Sequence, residues 1–202
     1  GLPYEMVINS DPCLGYLMRE NTLLLQILTM AHVYGHNDFF KNNRLFREGT
    51  KAYYTIEMFK LDADIIRDYI NDPNIGYDKV EKILDAAHAL RFQIPRVVGV
   101  KELTQEQIKK ALIDEYNSKV DNKGAFDEKE EIILPNLNKI PLEPCDDVMG
   151  FIIKYSSLED WEKNILKIVK RESEYFLPQI ETKIMNEGWA SYWHYNILKS
   201  LE

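Results

Sequence analysis

Apolar positions recur at helical spacing through most of the chain, and the strict alternation of a half-buried strand is scarce. Ser10-Asp11 followed by Pro12 has the form of a cap with proline in the first turn, which predicts a short helix to about Arg19. Asn21 or Thr22 caps a second helix reaching about Phe40, with an apolar stripe through Leu25, Leu28, His32, His36 and Phe39. A third helix is expected from Thr50 to Ile70, stopped by Asn71-Asp72-Pro73, and a fourth from Tyr77 to Leu90. Phe92 to Lys101 carries Pro95 and Gly99 and reads as a connection.

Beyond it, Thr104-Gln105-Glu106-Gln107 has the pattern of a capping box and opens a helix to about Ser118. Asn117 to Cys145 is polar, with an acidic stretch from Asp127 to Glu131 and three prolines. Such a composition predicts an exposed, partly disordered connection. Asp146-Asp147 caps a short helix to Tyr155, and Ser157-Leu158-Glu159-Asp160 opens a longer one to about Phe176. Pro178 is expected to interrupt it, leaving a last helix from Gln179 to Leu198. The fold expected is all-α: a multi-helix bundle forming one domain over residues 1–202, with 101–145 a variable connection or insertion.

Composition narrows the function. The chain is 45% hydrophobic and 29% charged, as in ordinary globular proteins, and its formal net charge is −8. That charge argues against nonspecific binding to nucleic acid or to anionic membranes. No apolar run reaches the ~18 residues that a membrane span needs. Cys13 and Cys145 are too few for a disulfide framework, which favours a reducing cytoplasmic setting. The chain begins at Gly1 and has the look of a piece of a longer protein.

The chemistry concentrates in two segments. AHVYGHNDFF, Ala31 to Phe40, places His32 and His36 four apart. On a helix that is ~40° in direction and ~6 Å in rise, so both rings can reach one ion. This is the ligand spacing of H-E-x-x-H, except that Val33 stands where the glutamate would be. The plainer alternative is a pair of core histidines bonded to backbone. ETKIMNEGWASYWHY, Glu181 to Tyr195, alters the balance. There Glu187 shares a mostly apolar helix face with Ile180, Ile184, Ser191, His194 and Leu198. A carboxylate on such a face is costly unless paired or bound to metal. Two histidines and one glutamate form a three-ligand set for catalytic zinc, and also suit non-haem iron.

His194 lies ~10 Å further along the axis than Glu187, so it suits proton transfer or substrate contact better than ligation. Asp38 is placed to orient a ligand histidine or to cap a turn. Tyr34 and Tyr192 are candidates for oxyanion stabilisation, although packing with a polar tip explains tyrosines equally well. Gly35 and Gly188 adjoin the proposed ligands, and close helix packing accounts for both.

YEMVINSDPCLGYLMRENT, AHVYGHNDFFKNN and ETKIMNEGWASYWH resemble the stage V sporulation protein R (SpoVR-like) family. The likeness is dense over Tyr4 to Asn43 and Trp161 to His194, and looser between. It implies a cytoplasmic bacterial protein tied to spore cortex formation. A second likeness concerns the site. Gluzincin-type metallopeptidases pair an H-E-x-x-H helix with a later helix that donates a glutamate, and Asn186-Glu187-Gly188-Trp189-Ala190 is similar to that later helix. It implies His32, His36 and Glu187 as the ligands of a divalent metal, zinc before iron, with Val33 in place of the general base.

Three functions are consistent with these residues. One is a metal-dependent hydrolase acting on a peptide or a cell-wall precursor. Another is a non-catalytic regulator on a degenerate peptidase scaffold, binding other proteins. The third is a non-haem iron oxidoreductase.

Overall fold

The computed structural model describes residues 5–96, 103–121, 133–139 and 141–201. The acidic stretch Asp127 to Glu131 lies outside the described residues. Contacts divide the chain into two compact units, one of residues 1–99 with 147–202 and one of residues 100–146.

The larger unit opens with an antiparallel hairpin, β1 (Glu5–Ile8) and β2 (Leu14–Leu17), in which Glu5 pairs with Leu17 and Ile8 with Leu14. The helix expected from Pro12 to Arg19 is therefore not formed. Ser10 does not cap a helix: its hydroxyl donates to the Pro12 carbonyl at 2.8 Å and closes the turn between the strands. Local side-chain bonding of this kind competes directly with helix initiation.

Helix α1 (Leu23–Asn42) starts on Thr22, whose hydroxyl accepts from the Leu25 amide. It ends on Asn43 in extended conformation. Asn43 Oδ1 accepts from the Leu45 amide at 2.9 Å and so starts α2 (Arg44–Gly49). A 3-10 turn, Ala52–Tyr54, leads into α3 (Thr55–Asn71), and α4 (Tyr77–Ala89) follows. The third helix thus begins later than expected, because the residues from Thr50 to Tyr54 are used to turn the chain.

After α6 (Val148–Tyr155), capped by Asp147, comes α7 (Asp160–Lys199), a single helix of 40 residues. It opens on a capping box in which Glu162 accepts from the Glu159 amide at 2.8 Å. Pro178 does not interrupt it. A proline costs the helix one backbone bond and its neighbours some strain. Here the ring is fully buried, and the Thr182 hydroxyl donates to the Pro178 carbonyl at 2.6 Å. Tertiary packing overrides the local preference.

The core lies where α4, α6 and α7 meet, with Ala87, Ile94, Met149, Leu166 and Val169 all buried. Asp62 of α3, also buried, is paired with Arg171 of α7. The hairpin is tied to this frame through Asn9. Its backbone carbonyl accepts from the Tyr175 hydroxyl at 3.3 Å and its side-chain Nδ2 donates to Thr50 Oγ1 at 2.9 Å.

The smaller unit is built on the helix α5 (Gln105–Asp121). Its capping box is formed: Gln107 Oε1 accepts from the Thr104 amide at 2.9 Å, and Thr104 Oγ1 accepts from the Gln107 amide at 3.3 Å. Seven α-helices and one two-stranded sheet among the described residues make the protein all-α. None of the described helices is long and apolar enough to cross a membrane.

Candidate metal centre

The centre is assembled by the close approach of α1 to α7. A Cβ on Gly35 would stand 2.6 Å from Ala190 Cα and 3.1 Å from its carbonyl oxygen. Only glycine allows the two backbones to meet there. The buried residues in this part of α7 are Thr182, Asn186 and Ala190, spaced four apart. The face expected to be buried, through Ile180 and Ile184, is instead open, and Ile184 is 88% exposed. Small side chains fit a narrow seam that isoleucine would force apart. Gly188 has open space around it, so its place beside Glu187 reflects no close contact.

Across this seam the histidines meet their neighbours. The two Nε2 atoms of His32 and His36 are 3.1 Å apart, with His36 buried and His32 partly so. Glu187 Oε2 lies 3.7 Å from His32 Nε2 and 3.9 Å from His36 Nε2. β1 brings Glu5 Oε1 to 3.6 Å and 3.5 Å from the same two nitrogens. Glu5, His32 and His36 offer ligand atoms that all lie within 4.8 Å of one another. Two ligands ~2.1 Å from one tetrahedral ion stand about 3.4 Å apart. The donors therefore have the chemistry and the spacing that one divalent ion requires.

Asn186 fixes the orientation of His36. Its Oδ1 accepts from His36 Nδ1 at 2.9 Å, so that in the neutral ring Nε2, 3.1 Å from His32 Nε2, is the nitrogen with the lone pair. Burial pushes the His36 imidazole down; the hydrogen bonds with Glu5 and Asn186 and the charge of Glu187 outweigh this, and its pKa is raised. For His32 burial prevails over the attraction of Glu5, with His36 and His194 adding repulsion, and its pKa is lowered. Lone pairs and carboxylates converging on one point repel one another until a cation or a proton joins them.

The remaining candidates fall at different distances. The His194 ring stands edge-on to His32, centroids 5.8 Å apart, beside the donor cluster but outside it. Asp38 accepts from Trp189 Nε1 and from Asn42 Nδ2, both at 2.8 Å, and so fastens α1 to α7 instead of touching a histidine. Tyr34 is exposed, and Tyr192 stacks on Trp189 and stands edge-on to Trp193 at the surface. Val33 is buried, with Gly15 of β2 so close that an added Cβ would be 3.0 Å from its Cγ1. Val33, the residue after the first histidine, is thus committed to packing the hairpin. Glu5 was not found from the sequence, since only a strand pairing over a four-residue stretch brings it here. Asn186 stood in the quoted phrase without a role.

The whole chain, residues 1–202, matches the family model described as SpoVR like protein. A curated relative from Escherichia coli strain K12, described as the uncharacterized protein YcgB, is 40% identical over 214 residues. That alignment takes in all of this chain and 41% of the relative, so the chain spans about two-fifths of the relative's length. No solved structure matches the chain. With the family model matched from end to end and the relative aligned along all of it, the chain belongs to the SpoVR family.

Proposed function

We propose that His32, His36 and Glu5 hold one divalent metal ion, zinc before iron, and that the centre hydrolyses a peptide-type bond. The convergence of three donor atoms, Glu5 from β1 and His32 and His36 from α1, carries this reading. Glu5 is favoured as third ligand over Glu187, the ligand expected from the sequence. It is nearer both nitrogens, and its side chain is 22% exposed against 56% for Glu187. When bound, the ion supplies Lewis-acid polarisation and acidifies water.

The chain's own residues supply the rest. Glu187, within 4 Å of both Nε2 atoms and more exposed, is suited to accept the proton that Val33 cannot. His194, next to His32, is placed to return a proton to the leaving group. Asn186 holds His36 in the tautomer that leaves Nε2 free for the ion. The family resemblance adds a cytoplasmic setting, a place in spore cortex formation and a cell-wall precursor as one substrate class. Val33, buried against the hairpin, favours a second reading, a regulator that keeps the scaffold without turnover.

The test is a split between ligand and base. Glu5→Gln loses the ion, whereas Glu187→Gln keeps it and loses hydrolysis of an acylated-peptide library by a factor on the order of 10²–10⁴. Loss of the ion in Glu187→Gln alone would exchange the two roles. A zinc-loaded wild type with no turnover across the library would favour the regulator. Stoichiometric iron with oxygen consumption would favour an oxidoreductase.

A further inference from the structure

A cleft of about 520 Å³ follows one stripe of α7 from Glu172 to Glu187, bounded on its other side by His88, Arg91 and Phe92 at the end of α4 and just beyond it. That volume is in the range of small-molecule sites. Residues fifteen apart on a helix are ~22 Å apart along the axis, so the cleft is elongated. One end is lined by Asn186 and Glu187, the residues that touch or flank the two histidines, so the cleft runs up to the candidate centre.

Its lining is of two kinds. Phe92, Phe176 and Ile180 give apolar surface, each still 43–54% exposed. Arg91 and Lys183 give fixed positive charge, and neither forms an ion pair with a described residue. Arg91 lies over the Phe92 ring, 4.7 Å from its centroid, which holds the guanidinium beside the apolar surface. The two carboxylates of the cleft have other partners. Glu187 faces His32 and His36. Glu172 sits near His88 and Arg171, and burial raises its pKa. Two cations that form no ion pair with a described residue, beside an apolar wall, suit an anionic group on an apolar body.

We propose that this cleft binds a carboxylate-bearing ligand with an aromatic or bulky aliphatic side chain, its free acid on Arg91 and Lys183 and its other end directed to Asn186 and Glu187. The substrate class that follows, an acylated peptide with a free C-terminal carboxylate, rests on the hydrolase reading above; the anion site itself does not.

Calorimetric titration with N-acetyl-phenylalanyl-alanine and with its C-terminal amide tests this on the full chain, both metal-free and zinc-loaded. The acid is expected to bind about tenfold or more tighter than the amide in both forms. Arg91→Ala/Lys183→Ala is expected to bring the acid down to the level of the amide while zinc uptake and circular dichroism stay at wild-type values. Arg91→Lys is expected to retain part of the preference. Equal binding of acid and amide, no binding of either, or a preference that survives in the double variant would overturn the site. The two readings fail separately: an acid preference in a protein that takes up no zinc keeps the cleft and sinks the centre, and one zinc per chain without the preference does the reverse.

Discussion

The two halves of α7 are packed in opposite ways. Up to Pro178 the helix buries large side chains, among them Ile165, Leu166, Ile168, Val169, Tyr175 and Leu177. After it, only Thr182, Asn186 and Ala190 are buried, while Ile184 and Met185 face outward. The first half makes a core by filling volume. The second lets another backbone come close, so that short polar groups and the histidines of α1 meet across the seam. The core and the candidate centre thus draw on different stretches of the same helix, and substitutions in each should report on different quantities.

The largest separation is expected from Ile165→Ala, which opens a cavity at a fully buried position and should cost about 2–5 kcal/mol in chemical denaturation. Zinc uptake well below the unfolding transition should be unchanged. Gly35→Ala should affect both quantities. Its Cβ meets backbone atoms of Ala190 that cannot yield alone, at a cost of about 1–3 kcal/mol, and the displaced α1 should weaken zinc binding as well. Gly188→Ala is the matched control: with nothing within 4 Å it should gain about 0.5–1 kcal/mol from helix propensity.

Asn186→Ala should sharpen the contrast in the other direction. Without the bond to His36 Nδ1, zinc affinity in a competitive chelator titration should fall by about 10–100-fold. The accompanying loss of stability should be about 1 kcal/mol. The smallest effect is expected at Glu172, whose carboxyl pKa is raised chiefly by burial. A raised carboxyl means that the charged form is disfavoured in the folded state, so the penalty appears as pH rises through the unfolded value. Glu172→Gln should therefore be more stable at neutral pH, by about 0.5 kcal/mol after solvent screening. The gain should vanish in acid, where both forms are neutral, as thermal melts across pH would show.

Much of the helical frame is legible in the sequence because it rests on local signals. Thr22, Thr104 and Asp147 cap the helices they were expected to cap, and α4 falls where its periodicity places it. The misses share a cause. Pro12 and Pro178 were weighed by local preference, and in each case contacts distant in sequence decide: strand pairing for the hairpin, burial for the long helix. The candidate centre divides in the same way. His32 and His36 stand out by spacing within one helix, and Glu187 by its place on a face. Glu5 has no such mark. It reaches the histidines only because β1 pairs with β2 and Gly15 rests on Val33. The buried seam of α7 was also hidden, since Thr182, Asn186 and Ala190 form no apolar stripe.

Metal content by elemental mass spectrometry, on untagged protein after zinc reconstitution, tests the centre most directly, with His32→Ala/His36→Ala measured beside it. One divalent ion per chain in the wild type, absent from a variant that remains folded, is the result that the converging donors require. A folded wild type that takes up no ion would contradict it and leave the two histidines as packing residues of the α1–α7 seam.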